Sequence, residues 1–356
     1  DSAPEQYREQ HLEALFVRGL LQRSQGDLPG SIRTYQTAIA ERTAFSGAVH
    51  RETANLYNSL AITLTAANRL DEALNAYRAN LAIYDQLGQS EDLDALVILG
   101  NTGTLAFRVG RLREAEQILK TAFEKQRARA GDSAAVAASM GLYGAVLTAQ
   151  SRDADAIAVL RPAAEMAVKF AGEASPLAIQ DRLFLTEALA VSGAHAKARE
   201  VAAQNLGFAL ERFGEAGLLT LRVRLTQARV AFEAGDAAAA YAGFNAVVEP
   251  LRKTGRPGQP SLAHALFGCG ETLLAQGRPG AAVAPLREAV ALREQLLWPQ
   301  SWELALARIR LGEALKRSNA PGAGELLNQG LAVLTSQLGD DHPQVQRARR
   351  VVAMPV

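Results

Sequence analysis

Hydrophobic residues along this chain recur at the spacing of a helix face. Leu60 and Leu64 stand one helical turn apart. Ala73, Tyr77 and Leu81 repeat that spacing in the next segment. No segment alternates apolar and polar residues with the β-branched enrichment that a strand would need. The pattern therefore predicts an all-α protein.

A short polar turn separates the helical segments and returns throughout the chain. The eight copies begin at Gly26, Asn68, Gly110, Ser151, Gly193, Gly235, Gly277 and Ser318. Successive copies are 41 or 42 residues apart, and a fixed period of this length indicates a repeat architecture. We predict eight units, each a helix, a tight turn and a second helix. If the last turn is counted at Asn319, one residue is deleted just after it.

Three columns of residues keep a fixed offset from these turns. Five residues after the turn stand Ser31, Ala73, Ala115, Ala156, Ala198, Ala240, Ala282 and Ala323. Seven residues before it stand Gly19, Ala61, Gly103, Gly144, Thr186, Ala228 and Gly270, and also Gly312 if the last turn is counted at Asn319. Small residues on both helices of a pair let their axes approach closely. Nine residues after the turn stand Tyr35, Tyr77, Leu119, Leu160, Ala202, Phe244, Leu286 and Leu327. We expect this third, mostly larger column to fill the space between stacked units.

This pattern of small residue, turn glycine, alanine and aromatic residue resembles the tetratricopeptide repeat (TPR). The period of 42 is similar to that of the kinesin light chain variety. The connector Leu-Gly-Asp-Asp-His-Pro-Gln-Val at 338–345 also resembles that variety. The resemblance covers roughly residues 11–345. It implies a right-handed superhelical solenoid of about eight helix-turn-helix units, with the first helices on the concave face.

The domain organisation follows from the repeat. We predict that residues 1–10 extend the first helix and that residues 11–342 form the eight units. Residues 343–356 begin like a ninth first helix and are predicted to form a capping stub. The chain begins with Asp1, without a signal-peptide pattern, so we expect a segment processed or excised from a longer protein.

Composition excludes several classes of protein. The formal charge of +1 (38 basic minus 37 acidic residues) gives no bulk attraction to nucleic acid. One cysteine, Cys269, and five dispersed histidines argue against a metal site or a disulfide framework. Cys269 falls in a packing column, where we expect a small buried hydrophobic residue. No catalytic motif or membrane-spanning run is present, so we predict no enzyme activity, no cofactor and no membrane contact for this segment.

The TPR resemblance implies a binding groove. In that family, residues 13, 10, 6 and 3 places before each turn face the concave channel, and an asparagine often stands nine places before it. The candidates are Asn58, Asn101, Thr104, Phe107, Glu187, Arg222, Arg229, Phe232, His264 and Glu271. Arg222 and Arg229 are seven residues apart, on one helical face, and could pair with a carboxylate of an extended ligand. We expect Phe107, Phe232 and Phe267 to offer apolar pockets. On a second interpretation these groups only line a solvated channel, with Arg229 neutralised by Glu187 or Glu271.

The resemblance implies a protein-interaction or ligand-sensing module that binds a peptide, a protein or a small signal. The Ala-, Arg- and Leu-rich units are similar to arrays that follow bacterial serine/threonine kinase domains, which would place this sensor on the periplasmic side of a membrane. No kinase motif lies in the segment itself. Two alternatives remain open. One is a cytoplasmic assembly scaffold or peptide-responsive regulator. The other is a self-associating solenoid, a homodimer through an open apolar end near residues 326–352.

Overall fold

A computed structural model describes the backbone of residues 2–354 and the side chains of residues 5–354, and this part of the chain is helical without any strand. The first nine helices are α1 Ser2–Ser24, α2 Leu28–Ser46, α3 Arg51–Ala66, α4 Leu70–Gln86, α5 Leu93–Arg108, α6 Leu112–Ala130, α7 Ala134–Ala149, α8 Asp153–Ala171 and α9 Pro176–Val191. The others are α10 His195–Phe213, α11 Leu218–Glu233, α12 Ala237–Lys253, α13 Gln259–Ala275, α14 Pro279–Leu296, α15 Trp302–Arg317, α16 Ala323–Leu338 and α17 Pro343–Ala353. A 3-10 turn, Arg256–Gly258, precedes α13. The all-α prediction is confirmed. The last two residues of the predicted stub lie outside the described residues.

Each tight turn contains one residue with a positive φ. Five of these residues are glycines, and the other three are Asn68 (60°), Ser151 (58°) and Asn319 (55°). A positive φ is unfavourable for residues with a Cβ and least so for glycine and asparagine, which explains the composition of the turn column. In the eighth unit the positive φ belongs to Asn319 rather than Ser318, so the missing residue follows the turn.

The column of small residues before each turn receives a large side chain from the same helix pair. A Cβ added to Gly144 would overlap the side chain of Leu160, and one added to Gly270 would overlap Leu286. The larger column was predicted to fill the space between units, but in these pairs it packs inside its own unit. Phe244 does reach the next unit, where its ring lies 2.6 Å from the position of a Cβ on Gly268.

The chain divides into two compact units. Unit 1 comprises residues 1–106 and 124–131, and unit 2 comprises residues 107–123 and 132–356. In unit 1, the amide of Asn80 donates to the Ala54 carbonyl oxygen at 2.6 Å and so ties α4 to α3. Tyr84 and Ile83 of α4 form a buried cluster with Ala54 and Ala95.

In unit 2, two sets of contacts join residues that are far apart in the sequence. The connector between α14 and α15 places the Trp298 N–H 3.3 Å from the Val109 carbonyl oxygen. The guanidinium of Arg111 lies 4.7 Å from the centre of the Trp298 ring. The imidazole Nε2 of His342 lies 3.0 Å from Ser151 Oγ and 3.2 Å from the Ala149 carbonyl oxygen. We call the contacts of Trp298 and His342 the two clasps of unit 2.

The C-terminal end of the array is covered by α17. Val345, Ala348 and Val351 are buried in the same core as α13 to α16, whereas Arg349 and Arg350 are exposed. The open apolar end that was expected near residues 326–352 is therefore closed by the chain's own helix. Over the described residues, none of the helices has the length and apolarity needed to cross a membrane.

Candidate functional site

The candidate groove residues fall in both units. Asn58 lies on α3, and Asn101 and Thr104 lie on α5, all in unit 1. The other candidates, Phe107, Glu187, Arg222, Arg229, Phe232, His264 and Glu271, belong to unit 2.

The three candidates in unit 1 differ in their exposure and in their hydrogen bonds. Asn101 is exposed, and the Thr104 hydroxyl donates to the carbonyl oxygen of Gly100 at 2.8 Å within its own helix. Asn58 is half-buried, and its Oδ1 is buried without a donor among the described residues. Asn58 is therefore the candidate in unit 1 with unused hydrogen-bonding capacity.

The apolar pockets expected at two phenylalanines are filled by neighbouring side chains. Phe107 packs edge to face against Phe184, with 6.4 Å between ring centres. Phe267 is 4% exposed, and the Arg293 guanidinium lies 4.3 Å from its ring centre. Phe232 stays half-buried beside Arg229, whose guanidinium is 5.3 Å from the ring centre. The expectation of open pockets was therefore wrong for Phe107 and Phe267.

The charged residues of unit 2 meet in one network. Glu271 accepts from Arg229 at 2.9 Å and from Arg310 at 3.0 Å. Arg229 also pairs with Glu233 at 2.6 Å, and Arg310 with Glu313 at 3.3 Å. Burial opposes the ionisation of Glu271, but Arg229 and Arg310 outweigh it and hold the pKa of this carboxyl below its usual value. The network joins α11, α13 and α15, which are the first helices of three successive helix pairs.

We call the surface formed by Glu187, Arg222, Arg229, His264, Glu271, Arg293, Glu303, Arg310, Glu313 and Arg347 the inner face of unit 2. Sequence reasoning missed half of this set. Glu313 is six residues before Asn319, the same offset as Glu187, Arg229 and Glu271, so the corrected eighth turn would have identified it. Arg293 comes from a second helix, α14, and no offset rule predicts it.

Burial dominates the ionisation of the remaining inner-face groups. It raises the pKa of Glu187, although Arg229 and Arg222 act in the opposite direction. It also raises the pKa of Glu303 and lowers that of Arg222. Burial and the nearby guanidinium of Arg293 lower the pKa of His264 to about 3, so this imidazole is neutral at physiological pH. The inner-face groups are half-buried or buried, and at such partly shielded positions charge-assisted hydrogen bonds are stronger than on an open surface.

Thiol chemistry and metal binding have little support in the described part of the chain. Cys269 is 3% exposed, and burial raises the pKa of its thiol to about 12, so the reactive thiolate is disfavoured. No group of histidine, cysteine and carboxylate side chains suited to a metal ion is found among the described residues. The inner face presents charged and hydrogen-bonding side chains.

Comparisons with known proteins agree with this architecture. Two stretches match family models of the tetratricopeptide repeat, residues 10–86 and residues 270–299. These matches show that the chain contains tetratricopeptide repeats, in agreement with its helix pairs. No curated protein is significantly similar to it in sequence.

Several solved structures are similar to this chain, and the likeness to the first of those named here supports the solenoid fold. The apo form of RapI is 11% identical, with a TM-score of 0.66 over 80% of this chain and 98% of that chain. A Podosopora anserina putative kinesin light chain with nearly identical TPR-like repeats is 20% identical, with a TM-score of 0.40 over 56% of this chain and 94% of that one. BtubC (BKLC) from P. vanneervenii is 14% identical, with a TM-score of 0.44 over 64% and 89%. Tetratricopeptide repeats generally mediate protein–protein interaction and are typically non-catalytic scaffolds.

Proposed function

We propose that this chain recognises a peptide or an extended protein segment on the inner face of unit 2. The observation that carries the proposal is the charged network of α11, α13 and α15, in which Glu271 is held by two arginines and is 4% exposed. Such a network fixes the side chains before a ligand arrives, so little conformational entropy is lost on binding.

The shape of the repeat supports a peptide. First helices of successive units lie side by side, and their inner-face residues repeat every 42 positions, as Glu187, Arg229, Glu271 and Glu313 show. An extended chain offers donors and acceptors at regular intervals and so matches a surface that repeats. A small compact ligand would use the residues of only one or two units.

A random-peptide selection against the purified protein tests this proposal. We expect enriched peptides whose binding slows amide hydrogen exchange in α9, α11, α13 and α15, because these helices contribute most of the inner face. The second helices α10, α12 and α16 should exchange at an unchanged rate. Glu187→Gln should weaken binding, because Glu187 is a half-buried inner-face carboxyl, whereas Glu211→Gln on exposed α10 serves as the matched control.

Two results would contradict the proposal. One is slowed exchange confined to the second helices, which would place the binding site on the outer face. The other is a selection in which no peptide is enriched over an unrelated helical protein.

For the cellular role, we propose the non-catalytic sensor or scaffold part of a bacterial signalling protein such as a serine/threonine kinase, located on the periplasmic side. The support is the resemblance of the repeat's composition to such arrays. Sequencing the coding region on both sides of residues 1–356 tests it. An upstream kinase domain followed by an apolar helix is expected. A fused DNA-binding domain would instead indicate a cytoplasmic regulator.

A further inference from the structure

The two clasps close part of unit 2 into a loop. The first clasp joins the turn after α5 to the connector before α15, and the second joins the turn after α7 to the connector before α17. Four complete helix pairs lie between the two sides of each clasp, α7–α14 for the first and α9–α16 for the second. The first helices α9, α11 and α13, which carry much of the inner face, belong to both loops.

The first clasp is a packed contact rather than a single hydrogen bond. A Cβ added to Gly110 would overlap the side chain of Ser301, so the missing side chain lets the turn approach the connector. Ser301 is fully buried, and its hydroxyl oxygen accepts from the N–H of Leu304 at 3.3 Å at the start of α15. The Arg111 guanidinium covers the Trp298 ring on the same side. The turn and the connector are therefore shaped to fit each other.

The space inside the loop is narrow. Burial raises the pKa of Glu187 on α9, and Glu303 on α15 adds to this increase, although two helix pairs lie between these helices. Such an effect requires the two carboxylates to lie a short distance apart. Phe107 on α5 and Phe184 on α9 are in ring contact, with the pair α7 and α8 between them in the chain. First helices that are not neighbours in the array therefore approach each other across the inner face.

We propose that the clasps are a gate on this channel, so that a bulky molecule reaches the inner face only when they open, whereas a small molecule enters at the ends of the loop. The inference rests on the proposed function for its purpose, because it states how access to that same site is regulated. The clasps are suited to opening. Contacts between turns and connectors bury little apolar area, and such contacts open at a lower free energy than packed helix pairs.

Thiol accessibility tests the gate without any ligand. In the full chain carrying Cys269→Ala, a single cysteine is placed on the inner face by Arg222→Cys or by Glu187→Cys, both at half-buried positions. Glu211→Cys on the exposed side of α10 is the outer reference. Each protein reacts with N-ethylmaleimide, a small reagent, and with a maleimide that carries a long polyethylene glycol chain.

We expect the small reagent to modify both inner cysteines. The polymer reagent should react with them about tenfold more slowly than with the outer cysteine, after normalisation to the small reagent, because it must wait for the clasps to open. Trp298→Ala combined with His342→Asn releases both clasps and should restore most of this factor. Trp298→Phe alone keeps an aromatic ring beside Arg111 and should leave the polymer reaction slow.

Phe213→Ala is the matched control. Phe213 is a half-buried aromatic residue at the end of α10, where it packs against a buried cluster that includes Leu183 and Val223. Its truncation loosens a connector that belongs to neither clasp, so the polymer reagent should remain slow at the inner cysteines. Circular dichroism should show the same helix content in all variants.

Four results would overturn the gate. One is a polymer reaction as fast at the inner cysteines as at the outer one. Another is a slow reaction that persists after both clasps are released, and a third is an equal acceleration in Phe213→Ala. The fourth is failure of the small reagent at both inner positions in every variant, which would exclude an open channel.

The labelling needs no peptide, so its outcome is separate from that of the proposed function. A gated channel in a protein that enriches no peptide would contradict the proposed function alone. Peptide binding to a protein whose inner cysteines react freely with the polymer would contradict this inference alone.

Discussion

Asp181 is a buried carboxylic acid in the packing between α7 and α9. It is 1% exposed, and its Oδ2 has no hydrogen-bond partner among the described residues. Gly141 of α7 leaves the space that the carboxyl group occupies, since a Cβ there would overlap it. Burial raises the pKa of Asp181 to about 8. The folded protein therefore holds this group as a neutral acid at pH 7.

We predict that Asp181 makes the stability of unit 2 fall as pH rises. Between the ordinary aspartate pKa of about 3.9 and a folded value of about 8, the folded state keeps a proton that the unfolded state has released. Each pH unit in this window costs up to about 1.4 kcal/mol, so raising pH from 6 to 8 costs roughly 2 kcal/mol. Urea unfolding at both pH values, in wild-type protein and Asp181→Asn, measures this.

The asparagine variant should lose this pH dependence and be the more stable protein at pH 8. Asp155→Asn is the control, because Asp155 is an exposed aspartate on α8. An equal pH slope in wild-type and Asp181→Asn would contradict the assignment of a buried neutral acid.

At the scale of single elements, the close approach of the two helices in a pair depends on a missing Cβ. Gly270 of α13 lies directly under Leu286 of α14. Because protein interiors are close-packed, a side chain at this place can be accepted only if the helices move apart.

Gly270→Val should destabilise the seventh helix pair by about 1–3 kcal/mol through overpacking. Contacts in a repeat array are mainly between neighbours, so faster amide exchange should be strongest in α13 and α14 and weak in α9 and α10. Gly280→Ala is the control, because nothing lies within 4 Å of the added Cβ on α14, and it should leave exchange unchanged. Uniform loss of protection along unit 2 would contradict local coupling.

The connectors between units follow a second glycine rule with one exception. Gly47, Gly88, Gly131, Gly172, Gly214, Gly255 and Gly339 have positive φ after the second helices. The connector after α14 has the extended residue Leu297 instead, with φ of −116°. This exception directs Trp298 toward Arg111. The period of the repeat reveals that the glycine is missing from this connector. It does not reveal that the connector contacts Val109 and Arg111.

At the scale of the whole molecule, the two clasps connect helix pairs of unit 2 that are not neighbours in the sequence. They join residues about 190 positions apart, such as Val109 and Trp298, or Ser151 and His342. Contacts of this sequence separation are unusual in a repeat array, where units contact mainly their neighbours. Both clasps involve connectors rather than helix faces, so they restrict the spacing of units without occupying the inner face.

Trp298→Ala should release the first clasp. It removes a ring that faces the Arg111 guanidinium, an interaction worth about 0.5–2 kcal/mol. We expect faster amide exchange at residues 109–112 and 297–301, with unchanged exchange in the core of α11 and α12. Trp298→Phe keeps an aromatic ring and should show an intermediate effect. Unchanged exchange at residues 109–112 in Trp298→Ala would show that the clasp does not persist in solution.

The second clasp should open in acid. His342 is 8% exposed, and its Nδ1 accepts from the Gln344 N–H at 3.2 Å, so its hydrogen is on Nε2 and points to Ala149 and Ser151. Burial lowers the pKa of His342, which means that the unfolded state binds its proton first as pH falls below about 6.5. The stability that His342 contributes is present above that pH and is lost below it.

We therefore expect faster exchange at residues 149–153 at pH 5 than at pH 7.5, after correction for intrinsic rates. His342→Asn keeps a helix-capping side chain but removes the titrating group, and should abolish the pH effect. If the variant kept the same pH dependence as the wild-type protein, another group would be responsible.

The sequence by itself determined the helices, the turns and the repeat. Helix periodicity, left-handed turn residues and paired small residues are local requirements that each unit must meet, so they are written into every 42-residue period. The candidate positions on the first helices were also predictable, because they keep a fixed offset from the turn. That offset even leads to Glu313 once the eighth turn is placed at Asn319.

Only the tertiary structure decided which of these positions are free to bind. Whether Arg229 is neutralised depends on distances between side chains of different units, and the period does not encode them. The same holds for the clasps of Trp298 and His342, which depend on how far the chain turns over several repeats. Small rotations between neighbours accumulate along an array, so contacts 190 residues apart are set by packing rather than by any local pattern.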